Sequence, residues 1–232
     1  MTGNPNLFVS DVFQIGPLTI TSTVVVTWGI MLALWLACMA ATRRLSLEPS
    51  ALQVVLEGIV STIEDAIRLV LPEQAGKVLP FIASLWIFVV VANLVSLIPG
   101  VRSPTGDLST TVALAILVFL AVHWYGIREN GLINYLRHYL SPNPILLPFH
   151  LIGEVSRTVA LAVRLFGNIF SLQMAALLML LVAGFLVPVP VLMLHIVEGL
   201  VQAYIFGMLA LIYIAGAIQS QQHKQHLKRS EK

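Results

Sequence analysis

Charged residues are scarce in this chain: only 10% of its 232 residues are Asp, Glu, Lys or Arg, whereas 58% are hydrophobic. The mean hydropathy of +0.90 is far above that of a soluble domain, so an ordinary water-soluble fold is excluded. The formal charge of +2 is too small to indicate nucleic-acid binding. The composition therefore predicts a polytopic membrane protein.

Cysteine and N-terminal basic residues are nearly absent. The one cysteine, Cys38, lies in an apolar run, so the chain can form no internal disulfide and we expect a small buried thiol. The first 42 residues contain no Lys or Arg, which leaves a secretory signal without its basic start. We therefore expect the N-terminal segment to remain on the mature protein.

Signatures of enzymes and of cofactor sites are also missing. The sequence has no nucleophile placed beside a base, no phosphate-binding loop and no set of spaced metal ligands. His195 and Glu198 lack a further spaced ligand, which makes them a poor zinc site. We expect no catalytic chemistry, no metal and no cofactor in this chain. The absence of an internal repeat argues mildly against transporters built from inverted repeats.

Long apolar runs set the organisation of the chain. Several of them suit a hydrocarbon layer of about 30 Å, and we predict one all-α membrane domain with five membrane helices. The predicted segments are an external leader at 1–18, spans at 19–42, 78–98 and 108–127, an amphipathic interfacial helix at 49–71, two tilted helices at 145–183 and 191–219, and a cytoplasmic tail at 220–232.

The last two apolar runs are too long to stand upright in a bilayer. As one helix, residues 145–183 would extend for about 58 Å, nearly twice the hydrocarbon thickness. We predict that this run is either broken or strongly tilted against a partner, and that it forms a hairpin with the last helix.

The segment 49–71 carries Glu57, Glu64 and Arg68 between apolar residues at helical spacing. It is interpreted as an interfacial helix, with a charged transmembrane span as the alternative.

Basic residues give the orientation in the membrane. Ten of the thirteen Lys and Arg residues fall in the predicted cytoplasmic segments, Arg102 falls outside, and Arg157 and Arg164 fall within the membrane. By the positive-inside rule, the N-terminus is external and the C-terminus is cytoplasmic.

Two arginines and a glutamate interrupt the longest apolar run. Arg157 and Arg164 are seven residues apart, so on a helix they lie within about 20° of each other. Each costs about 2.5 to 3.5 kcal/mol near the membrane centre, and this cost calls for a partner or a function. Structural alternatives are a pair between Glu154 and Arg157, three residues apart, and a pair between Arg164 and Glu198.

Polar residues on the last helix complete a candidate site. His195, Glu198 and Gln202 are spaced i, i+3 and i+7, so they share one helix face. An arginine stays protonated and fixes a positive potential, whereas a carboxylate or an imidazole exchanges protons. The chemistry indicated is ion transfer, although His195 and Glu198 could also simply bond to each other.

The predicted hairpin sets which residues of the two long helices face each other. Folding the chain about residues 184–187 places Arg164 opposite 202–209, to within about one helical turn. The same fold places Gln173 opposite 195–198.

Two strings in these helices resemble subunit a of the bacterial F-type ATP synthases. They are Arg164-Leu165-Phe166-Gly167-Asn168 and Gln202-Ala203-Tyr204-Ile205-Phe206. The resemblance covers most of the chain, including Asn93-Leu94 and the external loop with Asp107. It implies a multi-pass protein of the bacterial inner membrane whose last two helices lie obliquely against a ring of c subunits. The implied further partners are the b subunits of the peripheral stalk, the bilayer and, indirectly, the soluble F1 part.

The resemblance also implies residue roles. Arg164 would meet each ring carboxylate and separate two offset half-channels, with Gln202 as its partner from the last helix. The other implied ion-translocation residues are His195, Glu198, Gln173 and Asn168, and the secondary candidates are Arg157, Glu154, Asn93 and Asp107.

The chain departs from the family pattern at one position. The position of Gln173 is often a carboxylate or a histidine in the family, whereas Gln173 cannot titrate, and here Glu198 supplies the carboxylate one turn beyond His195. The ion can therefore be a proton or sodium.

The rival functions are a self-contained transporter or channel with an Arg, Glu and His site, and a structural anchor. Over-long helices favour the rotary stator, because a tilted hairpin needs a large curved partner.

Overall fold

The computed structural model describes residues 11–15, 18–43, 51–98, 101, 103–133, 135, 147–183 and 188–230. A short antiparallel hairpin pairs β1 (Asp11–Ile15) with β2 (Leu18–Thr21). The α-helices are α1 (Ser22–Thr42), α2 (Ala51–Val70), α3 (Ala75–Leu94), α4 (Leu108–Asn130), α5 (Leu147–Ala183) and α6 (Pro188–Ser230). Two 3₁₀ turns, Val95–Leu97 and Pro104–Gly106, lie between α3 and α4.

Five of the described helices are long and apolar enough to cross a membrane. These spans are Ser22–Thr42, Ala75–Leu97, Leu108–Glu129, Pro148–Val182 and Pro190–Gln219. The predicted all-α polytopic membrane fold is confirmed, and α2 is the described helix that is not such a span. The tilt of α5 and α6 relative to the bilayer stays a prediction.

Some elements differ from the predicted segments. The β1–β2 hairpin covers the end of the predicted leader and the start of the predicted first span, and α6 continues to Ser230 through the segment predicted to be a tail. This continuation is physically reasonable because the sequence after Gln219 has no Pro or Gly and is rich in Gln and Lys, which form helices readily. The predicted hairpin turn at 184–187 and the predicted cytoplasmic residue Arg137 lie outside the described residues.

The buried core lies where α3, α4, α5 and α6 pack together. Its largest fully buried side chains include Ile82 of α3, Leu165 of α5 and Phe206 of α6. In contrast, α1 contributes only Thr23 and Ile30 to the buried set. The expected burial of Cys38 on α1 is therefore wrong: its side chain is exposed.

Helix α2 packs on the core through the C-terminal half of its apolar face. Ile67 is fully buried, and Nε2 of Gln219 in α6 donates to the backbone oxygen of Val70 at 3.0 Å. On the polar face, Arg68 donates to Glu64 at 2.6 Å. This hydrogen bond and the charge of Glu64 raise the pKa of Arg68 above its ordinary value, so the arginine stays charged. The helix thus has the two faces that an interfacial helix requires.

A small residue allows α6 to approach α3 closely. A Cβ atom added at Gly207 would lie 2.5 Å from Nε1 of Trp86, and the Trp86 ring stacks on Tyr204 with 5.6 Å between the ring centroids. Close approach at small residues is a main source of helix association in membranes, where apolar burial between helices gives little.

This contact predicts the effect of Gly207→Ala. The added methyl group would displace the Trp86 ring, and such overpacking costs about 1 to 3 kcal/mol. We expect a lower melting temperature for the purified protein in detergent. The matched control is Gly216→Ala on the same helix, where an added Cβ meets nothing within 4 Å. Equal melting temperatures for the two variants would contradict the packing argument.

Candidate functional site

A hydrogen bond between side chains fixes the register of α5 against α6. Nδ2 of Asn168 donates to Oε1 of Gln202 at 2.7 Å. With these two residues opposed in an antiparallel pair, Arg164 lies about one turn away, opposite Phe206. The register agrees with the one predicted for the hairpin.

The amide nitrogen of Gln202 has no hydrogen-bond partner among the described residues. Gln202 is only 2% exposed, and its Nε2 is the buried side-chain nitrogen without a hydrogen bond among the described residues. Leaving such a donor unpaired costs about 1 to 3 kcal/mol. This buried donor is therefore a local cost at the contact between α5 and α6.

Arg164 is exposed on α5. Within the described part of the chain, no carboxylate lies within 4.0 Å of it, because the ion pairs there are Arg68 with Glu64 and Lys77 with Glu129. The alternative pairing of Arg164 with Glu198 is therefore not observed. The guanidinium remains available to an anion of another molecule.

Small residues lie on the surface beside Arg164. Ala160 and Ser171 are exposed, and a Cβ added at Gly167 would meet nothing within 4 Å. Leu161, between Ala160 and Arg164 in sequence, is 2% exposed and packs inward. The exposed strip thus allows a neighbouring helix to approach the guanidinium closely.

A second polar region joins α3, the loop before α4 and α6. Asn93 is fully buried; its Nδ2 donates to the Gly199 oxygen at 2.8 Å, and its Oδ1 accepts from Thr105 Oγ1 at 2.7 Å. Ser103 Oγ lies 2.6 Å from Thr105 Oγ1 and donates to the Ala92 oxygen at 2.7 Å. This network holds the loop against both helices.

His195 belongs to the same region. It is 4% exposed, and its Nε2 lies 2.7 Å from Ser96 Oγ. The alternative in which His195 simply bonds to Glu198 is not observed among the described residues, and Glu198 is half-buried one turn along α6.

Gln173 and Asp107 contact the loop that precedes α4. A Cβ added at Gly106 would lie 2.7 Å from Oε1 of Gln173, so the glycine makes room for this side chain. Asp107 caps α4, because its Oδ1 accepts from both the backbone nitrogen and Oγ of Ser109 at 3.0 Å. An N-terminal cap of this kind stabilises a helix by about 1 kcal/mol, which gives Asp107 a structural role.

Arg157 lies in a separate region near the start of α5. Its guanidinium carbon is 5.7 Å from the centroid of the Tyr213 ring, within the range of a cation–π contact. No ion pair with Glu154 forms within 4.0 Å among the described residues, so that alternative is not observed. Arg157 and Glu154 instead line a pocket of about 590 Å³ between α5 and α6.

A smaller void adjoins this pocket on the side of α4. It has a volume of about 20 Å³ and shares Glu154, Arg157 and Tyr213 with the large pocket. A void of this size holds about one water molecule. These three side chains therefore line both spaces.

The structure thus arranges the predicted site residues in three regions. Arg164, Asn168 and Gln202 lie together, His195, Asn93 and Gln173 lie near the loop before α4, and Glu154 and Arg157 line the pocket. Among the described residues, no group of three or more His, Cys, Asp or Glu side chains could hold a metal ion.

Sequence reasoning missed Ser96, Ser103, Thr105 and Tyr213. The available signals were weak: Ser96 is three residues after Asn93, and Ser103 and Thr105 flank a proline in a short loop. Tyr213 had no signal of its own, because its role depends on how α6 packs against α5.

Comparison with known proteins gives consistent matches over nearly the whole chain. A family model described as "ATP synthase A chain" matches residues 22–215. The chain is 63% identical over 219 residues to "ATP synthase subunit a 2" of Pelobacter propionicus, covering 94% of this chain and 96% of that protein. It is 56% identical over 223 residues to "ATP synthase subunit a" of Legionella pneumophila, covering 96% and 97%. "ATP synthase subunit a 1" of Hahella chejuensis is 65% identical over 206 residues, covering 89% and 88%.

The buried network around Asn93 predicts the effect of Thr105→Val. The substitution keeps the side-chain shape but leaves the Asn93 side-chain oxygen without its donor, at a cost of about 1 to 3 kcal/mol. We expect a lower melting temperature of the purified protein, and Thr105→Ser should retain most of the stability. The control is Thr62→Val on α2, which removes an exposed hydroxyl bonded to the Gly58 oxygen. A loss for Thr62→Val as large as that for Thr105→Val would contradict this assignment.

Proposed function

Because this chain belongs to the ATP synthase A chain family, we propose that it is the ion-translocating stator subunit of a rotary F-type ATP synthase. Its place in the membrane sector of an ATP synthase, which transports ions during ATP synthesis, follows from the family. The proposal adds the mechanism: two offset half-channels against a ring of c subunits, separated by Arg164. The observation that supports it most is that Arg164 is exposed and forms no ion pair with a carboxylate of the described residues.

The partner group that best fits Arg164 is a carboxylate. A guanidinium binds a carboxylate through charge-assisted hydrogen bonds, and a nearby cation favours the ionised form of an acid. A ring carboxylate that reaches Arg164 would therefore release its ion. Gln202 supports the site from within, because its amide oxygen accepts from Asn168 and so holds α6 against α5 one turn from Arg164.

The permanence of the charge on Arg164 explains its separating role. An arginine in a protein does not deprotonate, so it cannot pass a proton from one half-channel to the other. An ion that crosses has to ride on the ring carboxylate away from Arg164 and round the ring. Leakage without rotation is then blocked.

The two half-channels would lie on either side of Arg164 along α5. Gln173, beside the outer polar region, is about 13 Å along the helix in one direction, and Glu154, at the pocket, is about 15 Å in the other. Each distance is close to half of a hydrocarbon layer of about 30 Å. The pocket would be the inner half-channel, and the region of His195 and Glu198 the outer one.

The remaining parts of the proposal concern surroundings and orientation. We place the N-terminus outside and the C-terminus in the cytoplasm of a bacterial inner membrane, as the distribution of Lys and Arg indicates. The b subunits of the peripheral stalk and the soluble F1 part complete the complex. The chain itself carries no catalytic step in this proposal.

A self-contained transporter or channel is the rival function. Such a protein would be expected to enclose its charged site, whereas Arg164 is on the outer surface of α5. The rival function predicts ion transport by the purified chain alone in liposomes. Our proposal predicts transport only when the ring is present.

Arg164→Ala provides the central test. We expect ion-driven ATP synthesis by the assembled complex to fall by about a hundredfold or more, because loss of a fixed charge at a reacting centre costs about 3 kcal/mol or more. The control is Arg68→Ala on the polar face of α2, which removes an arginine far along the chain from the proposed path. The assay is ATP synthesis in membrane vesicles under an imposed ion gradient. Full coupling in Arg164→Ala would remove the central assignment.

Glu198→Gln tests the outer half-channel. If Glu198 exchanges the ion, its amide cannot titrate, and we expect the rate of ion flow to fall by about tenfold or more. Glu198→Asp should retain a larger part of the rate, and Glu64→Gln on α2 is the control. An unchanged rate in Glu198→Gln would take this residue off the path. Running the assay with and without sodium at fixed pH identifies the ion.

A further inference from the structure

Ser96 has two hydrogen-bond partners, and together they determine which ring nitrogen of His195 carries the hydrogen. Its Oγ donates to the backbone oxygen of Asn93 at 2.7 Å. The same oxygen lies 2.7 Å from Nε2 of His195. Ser96 lies in the 3₁₀ turn Val95–Leu97 after α3, and His195 lies on α6, so the contact joins two helices that are distant in sequence.

Counting hydrogens assigns the direction of the contact. A serine hydroxyl has one hydrogen, and a backbone carbonyl can only accept. The hydrogen of Ser96 is used on the Asn93 oxygen, so Oγ has to accept the second bond. Nε2 of His195 therefore carries a hydrogen, and in the neutral ring Nδ1 is the unprotonated nitrogen.

With this assignment, Nε2 of the imidazole cannot pass a proton onward. The chain runs from Nε2–H to Ser96 Oγ–H and ends at a peptide carbonyl, which takes up no proton under ordinary conditions. A proton leaving through Nε2 would have no acceptor beyond Ser96. The exchanging nitrogen is then Nδ1.

We propose that Ser96 is a positioning residue that holds His195 in the tautomer with hydrogen on Nε2, so that protons bind to and leave from Nδ1. The inference rests on the proposed ion-translocating function and deepens it for a proton-driven outer half-channel. Uptake at Nδ1 forms an imidazolium with a hydrogen on both nitrogens. Release from Nδ1 restores the neutral ring, so no proton is gained or lost over a cycle.

The groups around His195 are mostly uncharged. On its own helix, Glu198 lies three residues further on and is half-buried. The groups from α3 and the turn after it, Asn93 and Ser96, are uncharged. Asp107 of the loop is bonded to Ser109. Ser96 is thus the described side chain that holds the ring in place.

The test compares Ser96→Ala with Ser96→Thr in the assembled complex. The measurement is the rate of proton-driven ATP synthesis in membrane vesicles across a range of outside pH, per amount of assembled complex. We expect Ser96→Ala to lower the rate by about fivefold, the factor that one lost hydrogen bond gives, and to change the pH dependence. Ser96→Thr keeps a hydroxyl, so its rate should stay within about twofold of the original and its pH dependence should be unchanged.

A matched control separates this role from a structural one. Ser84 on α3 also donates to a carbonyl three residues earlier, that of Phe81, at 2.9 Å. It has no histidine partner in the described residues. Ser84→Ala should leave the rate and the pH dependence unchanged, and a fivefold loss there too would overturn the specific role of Ser96.

A double variant tests whether Ser96 acts through His195. In a His195→Ala background, Ser96→Ala should cause no further loss, because the group that it positions is gone. A further fivefold loss in that background, or an unchanged rate and pH dependence in Ser96→Ala alone, would overturn the inference. Arg164→Ala in the same vesicles tests the proposed function separately from the role of Ser96. If Arg164→Ala abolishes synthesis while the Ser96 variants behave as the original protein, only the role of Ser96 fails.

Discussion

A permanent positive charge without a carboxylate partner among the described residues is the constraint on which this structure depends. An arginine near the middle of a membrane costs about 2.5 to 3.5 kcal/mol, and no described carboxylate lies within 4.0 Å of Arg164. The small residues Ala160 and Gly167 leave room for another helix at this point. In the proposed function, a carboxylate of a neighbouring subunit offsets this cost and meets the charge only when the complex is assembled.

Hydrogen bonds between helices hold this charge in its place. The bond from Asn168 to Gln202 sets the register of α5 on α6, and Asn93 ties α6 to α3 through the Gly199 oxygen. Amide contacts of this kind contribute only about 0.6 to 2 kcal/mol each in membranes. Their main effect is directional, because each fixes one helix relative to another and so fixes where Arg164 faces the outside of the chain.

The parts of this architecture that depend on local pattern could be predicted from the sequence, and the parts that depend on packing could not. Apolar runs gave the five spans, and the family resemblance pointed to Arg164 and Gln202. The contact of Ser96 with His195 needs the end of α3 to reach α6 across a separation of 99 residues, which no periodicity shows. The exposure of Cys38 was missed for the same reason, since a run of apolar residues does not reveal which helix remains outside the core.

The inward face of α5 argues against a continuous ion path within the chain. Between Glu154 and Gln173, the side chains of α5 that are no more than 9% exposed are all apolar: Leu161, Ala162, Leu165, Ile169 and Leu172. Apolar side chains offer no ligand to an ion and no link for a proton. The pocket and the region around His195 lie about 28 Å apart along the helix, with these buried side chains and the bond between Asn168 and Gln202 between them. In the proposed function, an ion passes from one to the other on a group outside the chain, which is what a ring that moves past Arg164 would provide.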